Sequence, residues 1–431
     1  MSYEMLREPI GDGIYFSSVT DPKFKHNRLS VSFVLPLSRV GASDNAVVPH
    51  LLRKGCRECP DFSSLNARLC QLYGAVLDAD VSKYGGYQLL EVSIRGLDNR
   101  YALEGEDIVQ QCAQLLASVA LDPNLDEDGL FPAKDVELER QYVMDTIESQ
   151  INDKRGYALS RCMQVMCEGE PVAVRRYGYR DTAEKISARS AAEAYRNMLE
   201  VAPVEILFTG SGSADKAKEI FRRRFAGTRR SPGNYDPVRL RETPGGLKEK
   251  TEEMDLSQGK LVMGFRTGSI TTQRQLYGAR VFAALFGGTP FSKLFLNVRE
   301  RLSLCYYCAA RFDVATRLLT VDSGVETANK QKAQDEILAQ LAAVQRGEFT
   351  DEELANTKLL MRGNVRTMTD SLSGLGGWYL TQILRGQNLS PGEDALQIEK
   401  VTREDVIQAA GGVALDTVYF LRGHSEQEAA K

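Results

Sequence analysis

The sequence predicts an α+β fold of two tandem, homologous domains, each a mainly antiparallel sheet covered by helices. Three observations predict it. One order of elements occurs twice along the 431 residues. A stretch rich in Pro, Gly and charge, "RRSPGNYDPVRLRETPGGLKEKTEE" at 229–253, separates the two copies and lacks apolar periodicity, which reads as an interdomain linker. The length itself, at roughly 150 residues per domain, allows two to three domains. The chain therefore divides into an N-terminal domain at 1–228, the linker at 229–253 and a C-terminal domain at 254–431.

In the first copy "RLSVSFVLP" (28–36) reads as a strand, 44–54 as a helix, "FSSLNARLCQLYG" (62–74) as a second helix, and 75–82 with 87–95 as two strands. The second copy repeats this as "GKLVMGFRTG" (259–268), "QRQLYGARVFAALFG" (273–287), "PFSKLFLNVRERL" (290–302), "LCYYCAARFD" (304–313) and "LLTVDSGVE" (318–326). Each copy then turns helical. Val136, Val143, Ile147 and Ile151 form one stripe over 134–151, and 351–368 with 371–385 follow suit in the second copy. Each closes on a strand, "PVEILFTGSG" (203–212) and "LDTVYFLRG" (415–423). Strands joined through hairpins and helical excursions build a mainly antiparallel sheet.

Composition removes several function classes. The chain is 43% hydrophobic and 26% charged with a net charge of −4, so no electrostatic argument favours nucleic acid, an anionic membrane or an acidic substrate. The N-terminal "MSYEMLREPIGDG" is charged and lacks a secretory apolar run, and no stretch reaches the roughly 18 apolar residues that span a bilayer. A cytoplasmic protein is expected. Its eight cysteines are too sparse for a disulfide scaffold.

Three local patterns invite a reading. Cys56-x-x-Cys59 and Cys305-x-x-Cys308 resemble the halves of a four-thiolate zinc site, but the second pair lies on an apparent strand, where positions three apart face opposite ways. Ordinary buried or loop cysteines are expected. In "ILFTGSGSADKAKEIF", Gly210-x-Gly212 follows a strand and opens a helix, yet the third glycine of a dinucleotide fingerprint is replaced by Asp215, an acid suited to a helix N-terminus. The arginines at 222–224 and 229–230 read as a solvated face at a helix end.

The stretch "LSVSFVLPLSRVGASDNAVVPHLLRKGCRECPDFSSLNARLCQLYGA" resembles the start of the insulinase/pitrilysin peptidases, whose zinc helix reads His-x-x-Glu-His and continues into Lys-Gly-Thr. "ELERQYVMDTIESQINDKRGYA" is similar to that family's next zinc helix, and "FGGTPFSKLFLNVRERLSLCYY" to its second-domain signature. The resemblance spans nearly the whole chain and implies the two-domain metallohydrolase-like roll of that family. Its chemistry needs two imidazoles at i and i+4 to grip zinc, a glutamate between them as base, and a glutamate from a distant helix.

Read directly, "HLLRK" puts Arg53 at the base and Lys54 at the second ligand. Anchored on Lys54-Gly55-Cys56, the motif instead places Ala46 at the first histidine, Pro49 at the base and His50 at the second histidine. Aligning Glu139-Arg140 puts Thr146 at the third ligand, with Glu148 two residues on and turned about 200° round the helix. In either register the motif is degenerate, lacking at least two ligands and its base. One imidazole does not hold zinc at useful affinity, so no metal is expected in this chain, and His50 is expected to be a partly buried helix residue with a hydrogen-bonded ring.

The second-domain signature is intact. In this family an arginine and a tyrosine seven residues later reach the substrate backbone and the developing oxyanion, and Arg299 and Tyr306 have that spacing. Gly287-Gly288-Thr289-Pro290 makes the turn into their helix, and "AVLDADVSKYGGYQLLEV" corresponds to the strands beside the family's groove, where peptides add as an extra strand. By this resemblance the chain is the zinc-less, arginine/tyrosine-bearing subunit of a type found paired in Firmicutes. It would act with a zinc-bearing paralogue as a heterodimer on an extended peptide, with self-pairing also open. The alternatives are a structural or peptide-binding scaffold and an enzyme with a reassigned metal site on His50, Glu139 or Glu148 and a cysteine.

Overall fold

Strand alternation and cross-strand pairing organise the computed structural model, which describes residues 3–234 and 240–423. The centre of the segment read as linker, 235–239, and the end of the C-terminal domain, 424–431, lie outside the described residues. The first half runs β1 (Leu6–Gly11), β2 (Ile14–Thr20), β3 (His26–Pro36), α1 (Ala42–Leu52), α2 (Phe62–Gln71), β4 (Val76–Tyr84), β5 (Tyr87–Leu97), α3 (Ile108–Leu121), α4 (Ala133–Ser149), α5 (Lys154–Met166), α6 (Arg180–Ala183), α7 (Ala188–Val201), β6 (Val204–Gly210) and α8 (Asp215–Phe225). The second runs β7 (Lys248–Glu253), β8 (Gly259–Arg266), α9 (Gln273–Ala283), β9 (Cys305–Asp313), β10 (Leu318–Val325), α10 (Lys330–Gln345), α11 (Asp351–Met368), α12 (Leu372–Leu384), α13 (Pro391–Glu399), α14 (Arg403–Gly411) and β11 (Ala414–Arg422).

Two sheets result, with orders β1-β2-β6-β3-β5-β4 and β7-β11-β8-β10-β9. Without β1 the orders coincide element for element. In each, one pair is parallel, β2 with β6 and β7 with β11, and every other pair is antiparallel. The α+β class and tandem repeat are therefore present as the sequence predicts. Asp61 with Ser64 caps α2, and Thr272 with Gln275 caps α9, each satisfying N-terminal amides by a reciprocal hydrogen-bonded box, whereas α1, the counterpart of α9, starts at Gly41 without a side-chain cap.

The compact units differ from contiguous halves. The first gathers Met1–Glu148, Val174–Pro237 and Thr367–Gly392; the second gathers Ser149–Ala173, Val238–Arg366 and Glu393–Lys431. The reason lies in the central strands. All of β6 is buried, so its sheet needs cover on both faces. Within the first unit Leu375, Tyr379 and Ile383 of α12 pack on Val19 and Leu207, while α1, α3 and α7 contribute to the main core with Val31, Phe33 and Phe208. Within the second unit Ala158 and Cys162 of α5 pack on Val262, Tyr419 and Leu421, and α9, α10 and α14 contribute to the main core. A second difference is β7, "KEKTEE", which falls inside the stretch read as linker and pairs in parallel with Thr417–Arg422 of β11. The stripe on α4 stops at Ile147, because the helix ends at Ser149 and Ile151 is exposed.

The loop after β6 answers the nucleotide question. Asn27 Oδ1 accepts from the backbone N–H groups of Ser211 (2.8 Å) and Gly212 (3.1 Å), which removes the amides a phosphate would use. A Cβ on Gly210 would stand 2.0 Å from that same Oδ1, so the glycine serves this internal contact. Asn27 in turn donates to the buried Asp98, which also accepts from Arg100 and Ser211. Burial would raise the Asp98 carboxyl, but these donors overcome it and hold it down to about 2. Its contribution to stability is thus present above the unfolded carboxylate value near 4 and is lost as pH falls through about 2. Asp98→Asn is expected to lower unfolding free energy by roughly 2 kcal/mol at neutral pH, with the deficit shrinking below pH ~4 in urea titrations.

Candidate functional site

The degenerate motif sits on α1. Ala46 and Pro49 are buried, so a methyl occupies the first ligand position and a pyrrolidine the position of the base. Neither side chain can coordinate a metal or move a proton. His50 packs edge-on against Tyr142 of α4, with ring centroids 4.7 Å apart, and lies 6.3 Å from the near-parallel ring of Tyr177. Its Nε2 is buried without a hydrogen-bond partner, so aromatic rings hold the imidazole where a hydrogen bond is expected from sequence. Burial pushes its pKa down, against the opposing pull of Glu139 and Asp80, and the ring is neutral at pH 7.

Two carboxylates of the candidate set, Glu139 and Glu148, are committed to cations. Lys54 Nζ lies 2.5 Å from Glu139 Oε1, and Glu148 pairs with Arg180. Thr146, the residue that the alignment puts at the third-ligand position, lies on α4 and carries a neutral hydroxyl. This donor set does not fit zinc. Among the described residues no group of three or more His, Cys, Asp and Glu is placed to hold a metal ion.

The arginine/tyrosine stretch of the second unit is built differently. The helix predicted over 290–302 is a π-helical segment at Phe295–Arg301, where the wider turn leaves Arg299 partly exposed over the Phe295 ring, 4.6 Å from its centroid. Glu300 lies 3.5 Å away. The chain then folds back, with Ser303 N–H bonded to Arg299 O (3.1 Å) and Leu304 N–H to Val298 O (3.1 Å), which brings the start of β9 beside Arg299.

At that point the pairing of β9 with β10 slips. Cys308 faces Ser323, Tyr307 faces Gly324, and the next partner, Val325, faces Cys305. Tyr306 is the extra residue of a β-bulge, a feature that re-aims a side chain. It is 75% exposed, and its phenol projects into solvent while its neighbours are half-buried. Gly287 permits the approach of the preceding turn, because a Cβ there would stand 2.6 Å from Ala310 N and 2.7 Å from Ala310 Cβ. The second unit therefore places Arg299 just before, and an exposed Tyr306 at the start of, the edge strand β9.

The bulge also overturns one expectation. On the N-terminal side of Tyr306 the alternation reverses, so Cys305 packs against the core side with Cys308, where the two thiols influence each other's titration. Neither the bulge nor this pairing has a signal in "LCYYC", since a slip of one residue is set by the partner strand.

Residues 185–361 match the family described as "Peptidase M16 inactive domain". The chain is 31% identical over 424 residues to the "Probable inactive metalloprotease YmfF" of Bacillus subtilis, covering 98% of this chain and 99% of that one. Over a shorter span, 30% of this chain and 32% of the relative, it is 30% identical to the "Uncharacterized zinc protease YmxG" of the same organism. A conserved protein from Enterococcus faecalis shares its fold with a TM-score of 0.89 at 24% identity, over 98% of this chain and 99% of that one. A peptidase M16 inactive domain from Pseudomonas fluorescens does so with a TM-score of 0.77 at 17% identity, over 98% of each chain. No helix among the described residues is long and apolar enough to cross a membrane. A relative this similar along its whole length, met independently by the motifs of both halves, places the chain in the peptidase M16 family, the insulinase/pitrilysin type.

Proposed function

We propose that this chain is the zinc-less subunit of a cytoplasmic heteromeric M16 peptidase, working with a zinc-bearing paralogue on an extended peptide. Tyr306, exposed on a bulge shortly after Arg299 in the chain, carries the reading, because an exposed phenol and a partly exposed guanidinium are kept in a chain whose motif positions Ala46, Pro49 and Thr146 provide neither ligand nor base. In this reading the partner's zinc site activates the water. Arg299 and Tyr306 orient the scissile carbonyl and donate hydrogen bonds to its oxygen as charge develops. The neutral, aromatic-packed His50 is a structural remnant.

The test is reconstitution. This chain is co-expressed with a paralogue from the same genome that carries an intact His-x-x-Glu-His motif, and cleavage of a mixed peptide set is measured for each protein alone and for the mixture. Cleavage only by the mixture, with co-elution as a heterodimer, is the expected result. Cleavage by this chain alone overturns the proposal. Co-elution without any gain in cleavage replaces it with a scaffold role.

A further inference from the structure

Three steps along a regular strand separate Cα atoms by about 10 Å and turn the side chains to opposite faces. The bulge at Tyr306 changes both for Cys305 and Cys308. Their partners Val325 and Ser323 are two residues apart on β10, a rise of about 6.8 Å, so the bulge compresses the cysteine Cα atoms to a comparable separation, at the upper end of what a disulfide bridges. Both sulfurs face the core of the second unit. Both lie near the Ser323 hydroxyl, which donates its proton to Tyr307 O at 2.8 Å.

The two thiols are not equivalent. Cys308 is buried, and the neighbouring Cys305 together with burial pushes its pKa well up. Cys305 is half-buried. The neighbouring Cys308 thiol is the main influence on it, and with the Arg299 guanidinium it overcomes burial and brings Cys305 down to about 7. A reachable thiolate beside a protonated thiol is the arrangement of an attacking and a resolving cysteine.

We infer that Cys305 and Cys308 form a thiol modification site that reacts with small disulfide oxidants such as oxidised glutathione to give a reversible intrastrand disulfide. The Cys305 thiolate attacks one sulfur of the oxidant, forming a mixed disulfide and releasing one thiolate. Cys308 gives up its proton, which that thiolate takes, and attacks Cys305 Sγ, releasing the second thiolate, which is protonated from solvent. Counted from the two thiols, the chain gives up two protons and two electrons, and the oxidant takes them up to become two thiols. A bridge across this span requires local adjustment of the bulge, which places it among the labile disulfides rather than the structural ones. The inference does not depend on the peptidase reading.

The test uses the full chain. It is treated with oxidised glutathione near pH ~7, capped with N-ethylmaleimide and digested with trypsin, which leaves both cysteines on the peptide 302–311. The expected peptide is about 2 Da lighter than its reduced form and returns to it with dithiothreitol. Cys308→Ser is expected to retain glutathione on Cys305, and Cys305→Ser to leave the peptide unmodified. In untreated protein, iodoacetamide labelling of Cys305 is expected to rise with a midpoint near 7. Labelling of Cys59, whose pKa burial pushes up, is expected to be roughly tenfold slower or more. Capping of both thiols after oxidant, an unresolved glutathione adduct in the unaltered chain, or pairing of either cysteine with a different one overturns the inference.

Discussion

Replacing Arg266 by methionine is expected to destabilise the second unit by about 3–5 kcal/mol, the largest stability effect of any single side chain considered. Arg266 is fully buried at the end of β8. Its guanidinium donates to Asp416 at 3.1 Å, to both oxygens of Glu170 at 3.2 and 2.7 Å, and to the carbonyls of Met166 and Arg241, each at 3.0 Å. These partners tie α5 and its following turn to β8 and β11. Removal strands two carboxylates and two carbonyls away from water, and each loses far more than a surface ion pair would. The midpoint of urea unfolding should fall accordingly at neutral pH. If stranded charge is the cause, the triple change Arg266→Met, Glu170→Gln, Asp416→Asn should recover much of the loss. Lys in place of Arg should not, since one ammonium cannot span four acceptors.

The same cluster fixes a pH dependence. Burial would raise the Glu170 carboxyl, but hydrogen bonds from Arg266 and from the Arg241 backbone N–H, at 2.7 Å, hold it below the usual carboxylate value. A depressed folded-state value contributes stability that is present above the unfolded pKa and is lost as pH falls through the folded one. The gap between the unaltered chain and Arg266→Met should therefore be widest near neutrality and close below about pH 4.

What was legible in the sequence follows from what local pattern encodes. Alternation in "RLSVSFVLP" and "LLTVDSGVE" marks β3 and β10 because each residue's face is set by its own neighbours along the chain. The tandem repeat is legible for the same reason, being a sum of such local signals. The strand β7 is not, since "KEKTEE" is polar throughout, with no apolar residue to mark a face, and its pairing with β11 rests on backbone hydrogen bonds that carry no side-chain signature. Nor is the allocation of α5 and α12 to their units. Ala158 and Cys162 mark an apolar face on α5, but which sheet accepts it depends on the second face of strands far along the chain. At the site, spacing and resemblance single out Arg299, Tyr306 and the losses at Ala46 and Pro49. The bulge that exposes Tyr306 and gathers the cysteines is a property of strand register, and His50's companions Tyr142 and Tyr177 come from distant segments.

Arg299→Ala in the reconstituted pair is expected to lower kcat by roughly 10²–10³-fold, the cost of removing one donor to a developing oxyanion. In the proposed reading substrate can claim the Arg299 guanidinium with little loss elsewhere, since it lies over the Phe295 ring and, among the described residues, its ion-pair neighbour is Glu300 at 3.5 Å. Tyr306→Phe removes a hydroxyl from a side chain that is 75% exposed and packs against little, so its effect on folding should be small while kcat falls by roughly tenfold or more. The split between constants discriminates. Interactions made only in the transition state lower kcat and leave KM, whereas loss of general peptide affinity raises KM alone. Arg299→Lys should recover only part of the activity, because an ammonium lacks the paired donors of the fork. Unchanged kcat in all three variants, with the heterodimer intact by size, would leave Arg299 and Tyr306 as surface residues of a scaffold.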